Sequence, residues 1–143
     1  MVAVHYIDTS FLVPYYLPEA ASSAVQSKLQ SLPEGSLIVS PLVRTEFASL
    51  LSRKVRAREM NEADARRTMS ALDRHISKES LRLVPIISRD FTQATEWIMT
   101  MNHSLRAPDA LHLAVTARQD AVLWTLDKSL GSAATQLGLE SNH

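Results

Sequence analysis

The amino-acid sequence predicts an α/β fold with a mostly parallel sheet, because short apolar runs alternate with segments of helical periodicity. The short runs are rich in β-branched and aromatic residues and end at polar or turn-forming residues, which is typical of buried parallel strands. The longer segments repeat apolar residues every three or four positions, which is typical of helices with one buried face. No repeat or linker interrupts this pattern, so we expect one domain over residues 1–143.

Four segments fit the strand pattern. The first of them stops at Asp8, and the second stops at Ser40 and Pro41, so each ends where a loop or helix is expected to begin. All four are short, as expected for a small sheet. The four predicted strands cover residues 2–7, 37–39, 81–87 and 121–125.

Helical segments occupy most of the remaining chain. The first, residues 11–16, is short and is punctuated by Pro14 and Pro18. Asn61 is expected to cap a helix that runs to about residue 77, with acidic residues in its first turn. Pro108 suits the first turn of a helix that opens at residue 107. The other predicted helices cover residues 19–32, 43–55, 91–101 and 130–137, the last ending at Gly138.

The composition excludes several kinds of protein. Lysine plus arginine and aspartate plus glutamate both number 15, so the net charge is zero and bulk positive charge does not drive nucleic-acid binding. Without cysteine, the chain forms no disulfide, thiolate nucleophile or cysteine zinc site. No apolar run is long enough to span a membrane, and His5 and Asp8 interrupt the first one. We therefore expect no membrane segment, no signal peptide and a cytoplasmic location.

Four acidic residues lie where a ligand site is expected in this fold class. In open α/β sheets, ligands bind beyond the carboxyl ends of the strands. Asp8 directly follows the first strand, and Asp127 lies two residues beyond the fourth. Glu46 lies in the first turns of the helix that follows the second strand. Asp109 begins a helix that follows another helix, so the pattern alone places it less directly.

Carboxylates gathered at one edge need a neutralising partner. Two of them about 4 Å apart repel by about 4 kcal/mol at an effective dielectric of about 20. Either their pKa values rise or a cation binds between them. All-oxygen ligands without cysteine favour Mg²⁺ or Mn²⁺. Such an ion activates water and stabilises charge on a phosphate during in-line displacement, so this residue set favours phosphodiester hydrolysis.

Each acid also has a structural interpretation. Asp8 and Asp127 suit turns that follow strands, and Asp109 suits the first turn of a helix, where the helix dipole stabilises it. On pattern alone, the structural interpretation of Asp109 is the stronger one. Glu46 lies beside the apolar positions of its helix, where a charge without a partner is rarely buried, so a site role is favoured there.

Other side chains near these acids also have both a structural and a functional interpretation. Ser10, two residues after Asp8, either caps the first helix or bonds a carboxylate, and Thr125, two residues before Asp127, is also placed to bond one. His112 follows Asp109 at a spacing compatible with metal binding, but a lone histidine on an apolar helix face is usually a hydrogen-bonded core residue, which we expect here. The two tryptophans are expected to be packing residues.

Several segments, in their order and spacing, resemble those of the PIN-domain ribonucleases and, within them, the VapC toxins of bacterial toxin–antitoxin pairs. Each segment alone is common, but together they extend over nearly the whole chain. They are residues 6–13 (YIDTSFLV), 45–46 (TE), 106–114 (RAPDALHLA) and 125–127 (TLD), with residues 133–134 and 137–139 also fitting.

The resemblance implies a PIN-like three-layer α/β/α fold with four to five mostly parallel strands. It implies an endoribonuclease that depends on Mg²⁺ or Mn²⁺, a homodimer, and a cognate antitoxin whose segment covers the active-site groove. Ser10 and Thr125 match the usual hydroxyl positions of the family. His5 departs from a first strand that is normally more apolar, and the short tail after Leu139 predicts a stubby or missing fifth strand. The catalytic, metal-binding acids of the family are matched by Asp8, Glu46, Asp109 and Asp127.

Arginine-rich segments raise the question of where RNA would lie. The stretch from Arg53 to Arg74 is either a solvated helical face or a path for RNA phosphates, and the sequence leaves both open. Arg106, close to Asp109, is the better single candidate for a phosphate contact.

Two other function classes share parts of the pattern. A catalytically inactive PIN-like module would bind protein or RNA and keep the acids for structure, although here all four acids and both hydroxyls are present. A phosphotransfer protein fits less well. A dehalogenase-like phosphatase needs a second acid where this chain has Ser10, and a receiver domain needs an acidic pair at the end of its first strand.

Overall fold

The computed structural model describes residues 2–142, so residues 1 and 143 of the expected domain lie outside the described part. Within it, five parallel strands form one sheet in the order β3-β2-β1-β4-β5. The first strand in the chain is therefore the central one. The strands are β1 (His5–Ile7), β2 (Leu37–Val39), β3 (Arg82–Leu83), β4 (Val122–Trp124) and β5 (Ser141–Asn142).

Helices cover both faces of the sheet and complete a three-layer α/β/α sandwich, as the resemblance implies. Pro14 lies inside the first helix, which runs through it and ends before Pro18. The helices are α1 (Thr9–Tyr16), α2 (Ser22–Ser31), α3 (Pro41–Arg56), α4 (Glu62–Ser77), α5 (Ser88–Met99), α6 (Ala107–Arg118) and α7 (Lys128–Gln136).

The pairing of β1 with two neighbours sets the position of the residues that follow it. His5 lies opposite Leu37 of β2 and Val122 of β4, and Ile7 lies opposite Trp124. All three strands run in the same direction, so their carboxyl ends reach the same edge of the sheet. Asp8 therefore leaves the sheet at the middle of that edge.

The predicted strand over residues 81–87 was too long. β3 has only two residues, and both Arg82 and Leu83 are exposed. It lies at the edge of the sheet and pairs with β2 alone, over two residue pairs, Ile38 with Arg82 and Val39 with Leu83. The predicted first strand, residues 2–7, was also too long, because β1 begins at His5. The other edge strand, β5, is as short as β3, in agreement with the stubby fifth strand expected from the tail.

The start of α5 was predicted three residues too late. The helix begins at Ser88 rather than at residue 91. The buried carboxylate of Asp90 accepts a hydrogen bond from the backbone N–H of Ile87 at 2.9 Å and forms an ion pair with Arg118 at 2.8 Å. The contact between α5 and α6 thus fixes the first turn of α5. Apolar periodicity does not predict this start, because the contact is polar.

The core lies between the sheet and both helical layers. Tyr6 and Leu123, on neighbouring central strands, have no exposed surface. His5 is accommodated in β1 because the indole N–H of Trp124 donates to its Nδ1 at 2.8 Å. Trp124 is buried and Trp97 packs against the same core, as expected for packing residues.

None of the helices within residues 2–142 combines the length and apolar character that crossing a bilayer requires.

Leu123→Ala is expected to lower the free energy of unfolding by about 2–5 kcal/mol, because it leaves a cavity in the middle of the sheet. The control is Leu83→Ala, at a side chain that is 45 % exposed, for which we expect a change within about 0.5 kcal/mol. Urea unfolding followed by circular dichroism measures both. Equal losses in the two variants would contradict this placement of the core.

Candidate active site

Asp8 ends β1 and caps α1, which places a carboxylate at the centre of the sheet edge. Its backbone N–H still donates to Trp124 of β4, at 3.1 Å, so the strand pairing reaches this residue. Its side chain accepts from the backbone N–H of Phe11 at 2.9 Å and is only 3 % exposed. The N-cap of α1 is therefore Asp8 and not Ser10, the alternative considered from the sequence.

Two hydroxyls complete the hydrogen bonding of Asp8. Ser10 donates to Oδ1 at 2.8 Å, and Thr125 donates to Oδ2 at 2.6 Å. The same hydroxyl oxygens accept backbone N–H groups, that of Leu126 for Ser10 and that of Asp127 for Thr125, both at 3.0 Å. These bonds connect the end of β1 to the loop after β4.

Burial of Asp8 shifts its protonation. Removal of the carboxyl from water raises its pKa above the ordinary value, and the hydrogen bonds from Thr125, Phe11 and Ser10 oppose this shift without cancelling it. The ionised form is therefore costly in the folded protein. A nearby cation would lower that cost.

Glu46 projects from the second turn of α3 and is held by two donors at one oxygen. Thr9 donates to Oε1 at 2.7 Å, and His112 Nε2 lies 2.5 Å from the same atom. Burial opposes ionisation of Glu46, but the hydrogen bond from His112, the electrostatic attraction of the same ring and the hydrogen bond from Thr9 outweigh it and keep the pKa of Glu46 below the ordinary value. Glu46 is therefore ionised at neutral pH.

Asp109 and Asp127 lie with Glu46 on the wall of an open cleft of about 580 Å³. Burial raises the pKa of Asp109, and the negative charges of Asp127 and then Glu46 raise it further. Asp127 also caps α7, where its Oδ1 accepts from the backbone N–H groups of Ser129 and Leu130. The cleft is lined by Glu46, Ser104, Arg106, Pro108, Asp109, Asp127 and Ser129.

The structure thus brings three of the four predicted acids to one cleft. Asp8 is not among the lining residues, but Thr125 links it to Asp127 through the two hydrogen bonds described above. Among residues 2–142, no three acidic or histidine side chains close on one point as they would around an ion. The candidate ligands are carboxylate oxygens, which are the ligands that a hard divalent cation prefers. The negative charges of Asp127 and Glu46 also raise the pKa of Asp109.

The sequence analysis assigned no role to Thr9, yet its hydroxyl donates to Glu46. His112 is a buried, hydrogen-bonded core residue, as expected from the sequence, but its contact with Glu46 was not predicted. Its spacing from Asp109, one helical turn on the same face of α6, was the signal that placed it near the acids.

The comparison with family models decides the classification. The model of the PIN domain matches residues 5–135, nearly the whole chain. The chain belongs to the PIN-domain family. This confirms the resemblance that residues 6–13 and 106–114 carry.

Solved structures share the fold of this PIN domain at low sequence identity. VapC20 of Mycobacterium tuberculosis, described as a toxin that cleaves the sarcin–ricin loop, has a TM-score of 0.73 at 20% identity, with 90% of this chain and 94% of that chain covered. FitAcB from Neisseria gonorrhoeae has a TM-score of 0.71 at 14% identity, covering 98% and 97%. VapBC-1 from nontypeable Haemophilus influenzae has a TM-score of 0.71 at 15% identity, covering 97% and 96%. No curated protein sequence matches this chain at a significant level.

Relative to the unaltered protein, Asp8→Asn is expected to have a higher midpoint of thermal unfolding at neutral pH than at acidic pH, because burial makes the ionised carboxyl unfavourable in the folded state. A carboxyl whose pKa is raised by folding destabilises the protein above its folded pKa and has no such effect below its unfolded pKa. The difference in midpoint between Asp8→Asn and the unaltered protein should therefore fall as the pH falls toward the ordinary range of aspartate, and the loss of the hydrogen bond from Thr125 lowers it equally at every pH. Calorimetry between about pH 4 and pH 8 measures it.

The matched control for this prediction has the opposite sign. Asp73 forms an ion pair with Arg44 on the surface, and the hydrogen bond from Arg44 lowers the pKa of Asp73. Asp73→Asn should therefore lose a little stability at neutral pH, and only a little because the pair is exposed. A difference in midpoint between Asp8→Asn and the unaltered protein that does not change with pH would contradict the electrostatic description of Asp8.

Proposed function

We propose that this PIN-domain protein is a metal-dependent endoribonuclease that hydrolyses RNA phosphodiester bonds. The observation that carries the proposal is the convergence of Glu46, Asp109 and Asp127 on one cleft of a PIN fold, beside the buried Asp8. The negative charges of Asp127 and Glu46 raise the pKa of Asp109, and carboxylates that repel one another in this way attract a cation. A structural role alone does not require that they share a cleft.

Asp8, Glu46, Asp109 and Asp127 would hold Mg²⁺ or Mn²⁺. When bound, such an ion stabilises negative charge that develops on a phosphate during hydrolysis. The preference for a hard ion follows from the ligands, since every candidate donor is a carboxylate oxygen and the chain has no cysteine.

The surrounding side chains orient these acids. Ser10 and Thr125 fix the two oxygens of Asp8, and the N–H of Phe11 adds a third donor. Thr9 donates to Glu46 and restricts its rotation. Because these donors are set by strand ends and helix starts, the carboxylates need little reorganisation when an ion and a substrate arrive.

Arg106 lies on the wall of the same cleft and is the candidate that binds the RNA backbone. It caps the start of α6 through its backbone and forms no ion pair with another described residue. Its guanidinium is therefore available to a phosphate, which it is shaped to bind through two hydrogen bonds.

We further propose that the protein is the toxin of a type II toxin–antitoxin pair, acts in the cytoplasm and forms a homodimer. The support is similarity to FitAcB and VapBC-1, and to a structure described as a toxin–antitoxin complex from Klebsiella pneumoniae, with a TM-score of 0.61 at 17% identity. An antitoxin segment that covers the cleft would inhibit cleavage by excluding RNA. The zero net charge is compatible with self-association.

Asp8→Ala, Glu46→Ala and Asp109→Ala are each expected to reduce RNA cleavage by a factor of at least about 10². Cleavage by the unaltered protein should require Mg²⁺ or Mn²⁺ and stop with EDTA. A fluorescent single-stranded RNA measures the initial rates. Asp73→Asn, which changes a surface carboxylate outside the cleft, is the matched control and should keep full activity.

Cleavage that persists with EDTA, or in purified Asp8→Ala protein, would contradict the proposal. Intact RNA binding without cleavage in the unaltered protein would instead support a catalytically inactive PIN-like module. Titration calorimetry with Mn²⁺ separates these outcomes, because only the nuclease is expected to bind the ion in the cleft.

Arg106→Ala is expected to raise KM for RNA by about 10-fold, with a smaller change in kcat, because it removes a phosphate contact that exists before the reaction. The comparison variant is Arg66→Ala, which belongs to the basic stretch and pairs with Glu62 on the surface of α4. If KM responds to Arg66→Ala and not to Arg106→Ala, RNA follows the basic stretch and the role given to Arg106 is wrong.

A further inference from the structure

We propose that His112 is a positioning residue that donates a hydrogen bond from Nε2 to Glu46 and so fixes the carboxylate of Glu46 for the site. The inference rests on the proposed function, since it takes Glu46 to be a working acid of the cleft. It goes beyond that function by assigning roles to Ser40 and Tyr6, which are remote from the cleft wall.

A chain of hydrogen bonds runs from the start of α3 through the core and back to α3. The hydroxyls of Ser40 and Tyr6 are 2.8 Å apart, and the Tyr6 oxygen is 2.7 Å from His112 Nδ1. His112 Nε2 then lies 2.5 Å from Glu46 Oε1. Tyr6 and Ser40 have no exposed surface and His112 is 3 % exposed, so water does not supply alternative partners.

The direction of this chain follows from Ser40. It precedes α3 at the N-cap position, where a serine side chain ordinarily accepts a backbone N–H of the first turn. Here it makes no such bond, and within residues 2–142 the Tyr6 hydroxyl is its hydrogen-bond partner. If Ser40 accepted from Tyr6, its own buried proton would be left without an acceptor, at a cost that buried hydroxyls rarely bear. Ser40 therefore donates to Tyr6.

The protonation of the imidazole follows from the same argument. The Tyr6 oxygen accepts the hydrogen bond from Ser40, so the Tyr6 hydroxyl donates its own hydrogen bond to His112 Nδ1. Nδ1 is then an acceptor without a proton, and the ring proton lies on Nε2. That N–H points at Glu46 and donates to it.

The consequence for the site is that the carboxylate of Glu46 is held in one orientation. His112 and Thr9 both donate to Oε1 of Glu46, one from α6 and one from the first turn of α1. Among the described residues, no hydrogen-bond donor reaches Oε2 of Glu46, so this oxygen remains available to a ligand. Because Nε2 carries a proton directed at Glu46, His112 is not itself placed to coordinate an ion. It acts through Glu46.

The test uses the full-length protein and three substitutions. His112→Leu removes the donor, and His112→Gln restores an N–H at nearly the same distance from the backbone. Tyr6→Phe keeps the ring but removes the proton directed at Nδ1. We expect the Mn²⁺ concentration for half-maximal RNA cleavage to rise about 10–100-fold in His112→Leu and to recover most of that loss in His112→Gln.

The chain supplies its own matched control. Tyr16 and His75 form a second tyrosine–histidine hydrogen bond through Nδ1, and neither residue lines the acidic cleft. Tyr16→Phe and His75→Leu repeat the same chemical changes there. Both should leave the Mn²⁺ dependence of cleavage within about 2-fold of the unaltered protein.

A second measurement does not depend on activity. Nitrogen-15 NMR of the histidine side chains distinguishes a ring protonated at Nε2 from one protonated at Nδ1. We expect His112 to be protonated at Nε2, and to lose that strict preference in Tyr6→Phe. Protonation at Nδ1 in the unaltered protein would overturn the inference, as would unchanged Mn²⁺ dependence in folded His112→Leu. Absence of metal-dependent cleavage in the unaltered protein would sink the proposed function, and the NMR result would still decide the tautomer.

Discussion

The burial of one carboxylate at the end of the central strand is the constraint around which the rest of the molecule is arranged. Asp8 stays in the core only because its oxygens are matched by Ser10, Thr125 and the N–H of Phe11. Each donor comes from a place that the fold must fix: the first turn of α1 or the end of β4. The polar pocket and the packing of the sheet are therefore stabilised together, and neither forms without the other.

The acids of the site are not equivalent, because each has a different environment. The pKa of Asp8 is raised by burial, and that of Asp109 by burial together with the charges of Asp127 and Glu46. The pKa of Glu46 is lowered because hydrogen bonds outweigh its burial. In a shared cleft such differences are typical of functional sites, where one carboxylate is held ionised while its neighbours resist ionisation until a cation arrives.

Local residue patterns predicted the class of fold and the identity of the acids. Asp8 follows a short apolar run, and Asp127 follows another, so both could be assigned to the carboxyl edge of a parallel sheet. Asp109 could not be placed this way, because α6 follows α5 rather than a strand. Its position next to Glu46 depends on how two helices pack, and the family resemblance supplied what periodicity did not.

The contacts that orient the acids were beyond the reach of such patterns. Thr9 and His112 are 103 positions apart, and both contact Glu46 only in the folded protein. The same reason explains the errors in α5 and β3. Asp90 stabilises the start of α5 through Arg118 from a different helix, and the length of β3 is set by its pairing with β2, which is distant in the chain. Interactions between distant segments decide these details, whereas apolar periodicity reports each segment alone.

The shortness of the outer strand β3 limits how copies of this protein can associate. An exposed strand joins another sheet when it offers a row of free backbone N–H and C=O groups, and β3 has only two residues. The exposed Arg82 in β3 adds a charge that opposes such contact. A continuous sheet formed by pairing two copies through β3 is therefore disfavoured.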